Sequence, residues 1–273
     1  MDVQGIGLLW YMVCAWQNDF TGSIIDYGAW PDQGRRYFTK ANASKLLEDG
    51  KRGLHSGLIA LGDSLLKRQY LTQQNQSFML DLLLVDSGHE SELVYNFCRQ
   101  MRLAGFGERL LPSKGEGNRA TNKFGFNEGK AVQGEQRGFE WKLPPPKELR
   151  GIKLLSYNTN AWKSFVMDRL QVKDNGPTSL SVFGGSISEH QMLFDHMQSE
   201  YRERVKSEHT GRECDEWHSK GSTIDNDLWD CLVGCACAAN MRGVRLEGLQ
   251  SQQKQKKATG ERRSWAAMKQ AVK

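Results

Sequence analysis

The run SFMLDLLLVDSG, residues 77–88, constrains this chain more than any other segment. A compact apolar stretch closed by Asp-Ser-Gly has no polar face to give to water. It predicts a strand buried on both sides, in the middle of a sheet. The segment that follows, ESELVYNFCRQMRLAG, sets Leu93, Val94, Phe97, Met101 and Leu103 at a period near that of a helix. A doubly buried strand feeding an amphipathic helix is the signature of an α/β protein.

Upstream, MDVQ reads as the end of a strand turned at Gly5, and residues 6–17 and 22–30 read as two strands of a hairpin. Residues 42–70 carry leucines at helical spacing. Residues 113–150 are glycine-rich and charged and end in three prolines, which predicts a long irregular segment. Downstream come a short strand over 152–157, a helix over 160–171, a third helix over roughly 188–206 and a last helix over 225–241. The expected organisation is one domain over 1–245, followed by a basic tail over 246–273. Over residues 250–273, Lys254, Lys256, Lys257, Arg262, Arg263, Lys269 and Lys273 face one acid, Glu261. Such a tail is either a solvated extension or a phosphate-binding one.

No stretch approaches the roughly 18 consecutive apolar residues of a membrane span, and the N-terminus lacks the pattern of a secretory signal. A chain of 273 residues with six cysteines in no regular framework fits a reduced, cytoplasmic protein. Cys231, Cys235 and Cys237 have no CxxC spacing and read as small apolar packing groups rather than zinc ligands. The net charge of +5 is a mild bias toward an anionic partner.

Three aspartates sit where such a fold brings carboxylates together. Asp2 lies on the strand stub, Asp86 ends the buried strand, and Asp230 lies on the late helix. Carboxylates meeting at the C-terminal ends of strands repel unless cations neutralise them, and hard oxygen ligands suit Mg²⁺ or Mn²⁺. Asp86 has a second reading, as a helix N-cap or an Asx-turn before residue 90. Lys114 and Lys163 follow predicted strands, where each is either a phosphate contact or a solvated lysine. His89, after the Asp86 turn, is either near phosphate or a surface histidine.

The strings DVQGIGLLWYMVCAW, IIDYG, LLLVDSGHESELVYNFCR, LLPSKG, SYNTNAWKSFVMDRL and LFDHMQSE, then Trp217 and NDLWDCLVGCACAA, occur in one order. In that order they resemble the nuclease domain of GpA-type phage large terminases, over residues 2–243. The resemblance implies a ribonuclease H-like mixed sheet flanked by helices on both faces. It implies metal-dependent cutting of concatemeric double-stranded DNA in the host cytoplasm. Asp2, Asp86 and Asp230 match the family's carboxylates and would bind two Mg²⁺ or Mn²⁺ ions. A small terminase subunit, a portal and an ATPase motor are the implied partners. Two departures accompany the likeness. Asp227 stands where the family usually has His or Glu, and is either a substitute ligand or a first-turn acid. The family also has several apolar residues before its first aspartate, so the first strand is expected to be clipped. GFNEGKAV, residues 125–132, lacks P-loop spacing, so ATP hydrolysis is not expected. Rival readings are another ribonuclease H-like nuclease, such as a resolvase, or an inactive DNA-binding remnant.

Overall fold

The computed structural model describes residues 1–146, 151–173, 176–184, 186–221 and 225–246. The chain opens with an antiparallel meander, β1 (Asp2–Gln4), β2 (Leu8–Trp16) and β3 (Gly22–Trp30). Its first turn closes with Gly7 N–H on Gln4 O. Gly7 has φ +83°, and a Cβ there would meet Leu47 O at 2.6 Å, so only glycine fits. Helix α1 (Gly50–Lys67) buries Leu54, Leu58, Leu61 and Leu65 at spacings of four and three, as an amphipathic helix must. A short hairpin, β4 (Tyr70–Leu71) with β5 (Ser77–Phe78), leads into β6 (Leu83–Asp86) and α2 (Ser91–Met101).

Strand β7 (Leu110–Glu116) pairs parallel to β6. After it come β8 (Gln136–Gly138), β9 (Trp141–Leu143) and β10 (Leu155–Asn158), the last parallel to β7. Then follow α3 (Thr159–Leu170), β11 (Leu180–Val182), α4 (Gln191–Gln198), β12 (Glu200–Lys206), β13 (Glu213–Ser219) and α5 (Asp227–Met241).

Besides the two-stranded β4-β5 and β12-β13, two larger sheets result among the described residues, ordered β1-β2-β3-β11 and β6-β7-β10-β9-β8. Met1 joins them. Its nitrogen donates to Leu84 O at 2.9 Å, and its carbonyl accepts from Asp86 N–H at 2.9 Å. That is the bonding pattern of a parallel pair, with Met1 opposite Val85. Both faces of the joined sheet are covered. On β2, Leu8, Trp10 and Met12 enter a core with Trp162, Leu193, Trp229 and Leu232 of α3, α4 and α5. Leu9 and Val13 point the other way, into a core with Leu58, Leu65 and Phe97 of α1 and α2. Small residues let α5 approach β2 closely, and the Cys231 and Cys235 thiols donate to Trp10 O and Met12 O at 3.6 and 3.4 Å. The mixed α/β architecture expected from the sequence is therefore present.

Several local expectations need correction. The third helix ends at Gln198, not near 206. Residues 200–206 form β12, whose seven residues pair in register with β13. Arg204 reaches Glu213 and Asp215 across that ladder at 2.9 Å. A charged string with one valine carries no helical or strand period of its own, so the distant partner decides its form. Residues 113–150 are not wholly irregular, because β7, β8 and β9 lie in or overlap them. Within 77–88 the central-sheet strand forms only from Leu83 onward, and Ser77–Phe78 belong instead to the β4–β5 hairpin. Leu246, assigned to the tail, is 3% exposed in the core. The rest of the expected tail, 247–273, lies outside the described residues. Among the described residues, no helix is long and apolar enough to cross a membrane.

Candidate active site

Asp2, Asp86 and Asp230 come from three separate elements and line one cavity of about 1010 Å³. Lys114 and Lys163 line it too, with Ser113 and Tyr157. Asp2 stands on β1 opposite Trp10 and accepts from Gln4 Nε2 at 2.5 Å. Asp86 ends β6 opposite Ser113, and its Oδ2 accepts Gly88 N–H at 3.0 Å. That contact is an Asx-type turn, so this part of the second reading of Asp86 is present. The N-cap of α2 is Glu90, not Asp86. Burial first, then the negative charges of Asp2 and Asp230, push the Asp86 carboxyl up to about 6.

Asp230 closes a ring of four side chains. Lys163 Nζ lies 2.9 Å from Asp230 Oδ1 and 2.7 and 2.8 Å from the two carboxylate oxygens of Glu200. Asn226 Nδ2 donates to Asp230 Oδ2 at 3.0 Å and to Glu200 Oε1 at 2.9 Å. Both oxygens of Asp230 are thus held before any ligand arrives. The Asp230 side chain is still 39% exposed toward the cavity, although protein surrounds it closely. Burial raises its proton affinity, and the Lys163 ammonium works against that. For Lys163, burial disfavours the charge, but Asp230 and Glu200 more than offset it and keep the ammonium charged. Lys163 is 7% exposed, so the structure places it inside a carboxylate network rather than in solvent. Lys114, on β7, is exposed at the cavity wall. His89 is exposed as well, with its ring against Gly5 of the β1–β2 turn.

A second cluster adjoins Asp2. His196, Asp225 and Asp227 are buried, and each offers a ligand atom within 4.8 Å of the others'. Lys40 Nζ lies 3.2 Å from both Asp227 oxygens and 3.6 Å from Asp225 Oδ1, and the Lys40 N–H donates to Asp225 Oδ2 at 2.7 Å. Asp227 is pushed up to about 7, by burial and then by the charge of Asp2. His196 Nδ1 accepts Leu228 N–H at 3.1 Å, and burial lowers this imidazole to about 4, so it is neutral at ordinary pH. The donor set suits a cation, and the Lys40 ammonium already supplies one. Sequence reasoning singled out Asp227 alone here. The pair of acids flanking Asn226 was a usable signal. Lys40 and His196, far away in the chain, gave none.

The fold and cavity define an α/β protein with a carboxylate-lined cleft at the ends of its central strands, the arrangement hydrolases use to hold divalent cations. A family model described as terminase large subunit gpA, endonuclease domain, matches residues 1–255. The chain belongs to that family and is thus a nuclease domain of the phage terminase type. No curated protein matches the chain, and no solved structure does.

Proposed function

We propose that this chain is a metal-dependent endonuclease domain that hydrolyses phosphodiester bonds of double-stranded DNA during phage genome packaging. The observation that carries the reading is the convergence of Asp2, Asp86 and Asp230 on one cavity, with the Asp86 carboxyl held near 6 by burial and by the other two. Asp2 and Asp230 both raise the proton affinity of Asp86, and that carboxyl forms no ion pair among the described residues. An all-oxygen donor set of this kind fits Mg²⁺ or Mn²⁺. Asp2, Asp86 and Asp230 would hold the ions, two of them on the family's pattern. When bound, such ions lower the pKa of a water and stabilise the charge on the leaving oxygen. Support for the ribonuclease H-like reading comes from the strand order, in which the antiparallel β1-β2-β3 unit meets parallel β6 and β7 through Met1.

The chain's own residues divide the remaining work. Lys163 and Asn226 fix the Asp230 carboxylate from behind, which limits its rotamers before substrate arrives. Lys163 reaches a DNA phosphate only by leaving Glu200 or Asp230, so its role in this reading is to position Asp230. Lys114, exposed on the same wall, is the phosphate contact. Contacts of this kind hold the backbone without reading sequence. Lys40 neutralises Asp225 and Asp227 beside Asp2 and so confines the unpaired negative charge to the cavity. An ATPase motor, a small terminase subunit and a portal are the partners that the family implies, and the host cytoplasm is where they would meet. The test is nicking of a supercoiled plasmid in Mn²⁺ against EDTA. Cutting that is equal in both would end the metal-dependent reading.

A further inference from the structure

Tyr157 packs into the core and is 6% exposed, yet it lines the cavity that holds the three aspartates. Among the described residues its hydroxyl has no hydrogen-bond partner. Packing alone would be served by phenylalanine, so the hydroxyl is the part of this side chain without a structural use.

Register and close packing aim that hydroxyl at the carboxylates. On β7, Ser113 stands opposite Asp86, and Gly115 stands opposite Tyr157. Ser113 and Gly115 are two residues apart, so Asp86 and Tyr157 project from one face of the sheet, on either side of β7. The Tyr157 side chain passes beside Gly115. A Cβ there would lie 3.5 Å from the hydroxyl and 2.5 Å from Thr159 Cγ2. On α5, the position of a Cβ at Gly234 is 3.9 Å from the same hydroxyl. Asp230 is one helical turn before Gly234 and shares its face of α5. Burial first, then the charges of Asp86 and Asp230, hold the proton on the phenol.

We propose that Tyr157 is a phosphate-binding residue of this site, its hydroxyl donating a hydrogen bond to a non-bridging oxygen of the scissile phosphate. The proposal rests on the nuclease reading, since a phosphodiester is what brings that oxygen to Asp86 and Asp230. Non-bridging oxygens only accept, and the phenol is a donor with no acceptor of its own. Its neutrality suits the place. A lysine here would pair with the carboxylates, as Lys163 does with Asp230, and would compete with a cation. A phenol holds the phosphate and leaves the carboxylate charge free.

The test is the affinity of the full chain for a short DNA duplex in Ca²⁺, which takes the same kind of oxygen ligands. It is measured across salt for the parent, Tyr157→Phe and Lys114→Met. Tyr157→Phe should bind at least about fivefold more weakly at every salt concentration, because a neutral donor releases no counterion. Lys114→Met should instead reduce the salt slope by about one. In Mn²⁺, nicking by Tyr157→Phe should fall about ten- to a hundredfold, with an unchanged thermal midpoint in the absence of DNA. Equal affinity, or equal nicking by an active parent, overturns the proposal. So does a loss of affinity confined to low salt, which would mean a displaced lysine, or a lowered midpoint, which would mean a protein partner for the hydroxyl. A parent that binds the duplex but does not nick it sinks the endonuclease reading alone, and the affinities still decide on Tyr157. A parent that binds no duplex contradicts both.

Discussion

Lys163 Nζ lies 2.9 Å from Asp230 Oδ1, and the same ammonium holds both oxygens of Glu200. Removing one member of a buried ion pair leaves the others uncompensated. Lys163→Met should therefore destabilise the chain by about 3–5 kcal/mol, whereas Lys163→Met with Glu200→Gln should cost measurably less. Urea unfolding of the two variants checks this. A double variant less stable than the single one would show that Lys163 is not the charge that balances Glu200.

Lys40 should behave alike at the second cluster. Lys40→Met leaves Asp225 and Asp227 buried without their cation. A double-mutant cycle with Asp227→Asn should give a coupling of about 1–3 kcal/mol at pH 8. It should weaken below pH 7, where Asp227, held up at about 7, takes a proton. A coupling that does not change between pH 8 and pH 5.5 would contradict this assignment.

Asp86 predicts the direction of a pH effect. Its folded value of about 6 lies above the ordinary 3.8, so the folded state holds the proton more tightly. The stability this contributes is complete below the ordinary value and is lost as pH rises through about 6. In metal-free buffer, Asp86→Asn should match the parent near pH 4 and exceed it by roughly 1–2 kcal/mol at pH 8, with water in the cavity screening the rest. His196 has the opposite sign. Its value of about 4 means that stability is lost as pH falls from its ordinary 6.5 through about 4, equally in both chains. The difference between the chains therefore isolates Asp86, and chemical denaturation across pH 4–8 measures it. An Asp86→Asn advantage that grows toward low pH would refute the assignment.

Local pattern carried much of this architecture. The apolar run closed by Asp86, the period of Leu93, Val94 and Phe97, and the apolar and aromatic content of residues 6–17 are properties of neighbouring residues, and each predicted its element. The β12–β13 hairpin was missed because its partner strand, not its own composition, makes it extended. Asp86 stood out because a carboxylate ending a buried strand has few structural uses, whereas Asp2 and Asp230 were singled out only by the family resemblance. The surroundings of these acids were not legible. Lys163 meets Glu200 across 37 positions, and Lys40 meets Asp227 across 187. In sequence both are indistinguishable from lysines on a solvated face. Only the fold shows that each is the counter-charge of an acid pair.

The most direct test of the central claim is plasmid nicking in Mn²⁺ by the parent chain and by Asp86→Asn, with both checked for an intact fold by near-ultraviolet circular dichroism. The amide keeps the shape of the side chain and removes the charge that would hold a cation. The account predicts nicking by the parent that EDTA abolishes, and a loss of at least about a hundredfold in Asp86→Asn with an unchanged spectrum. Equal nicking by the two chains would contradict the placement of the metal-dependent site on Asp2, Asp86 and Asp230.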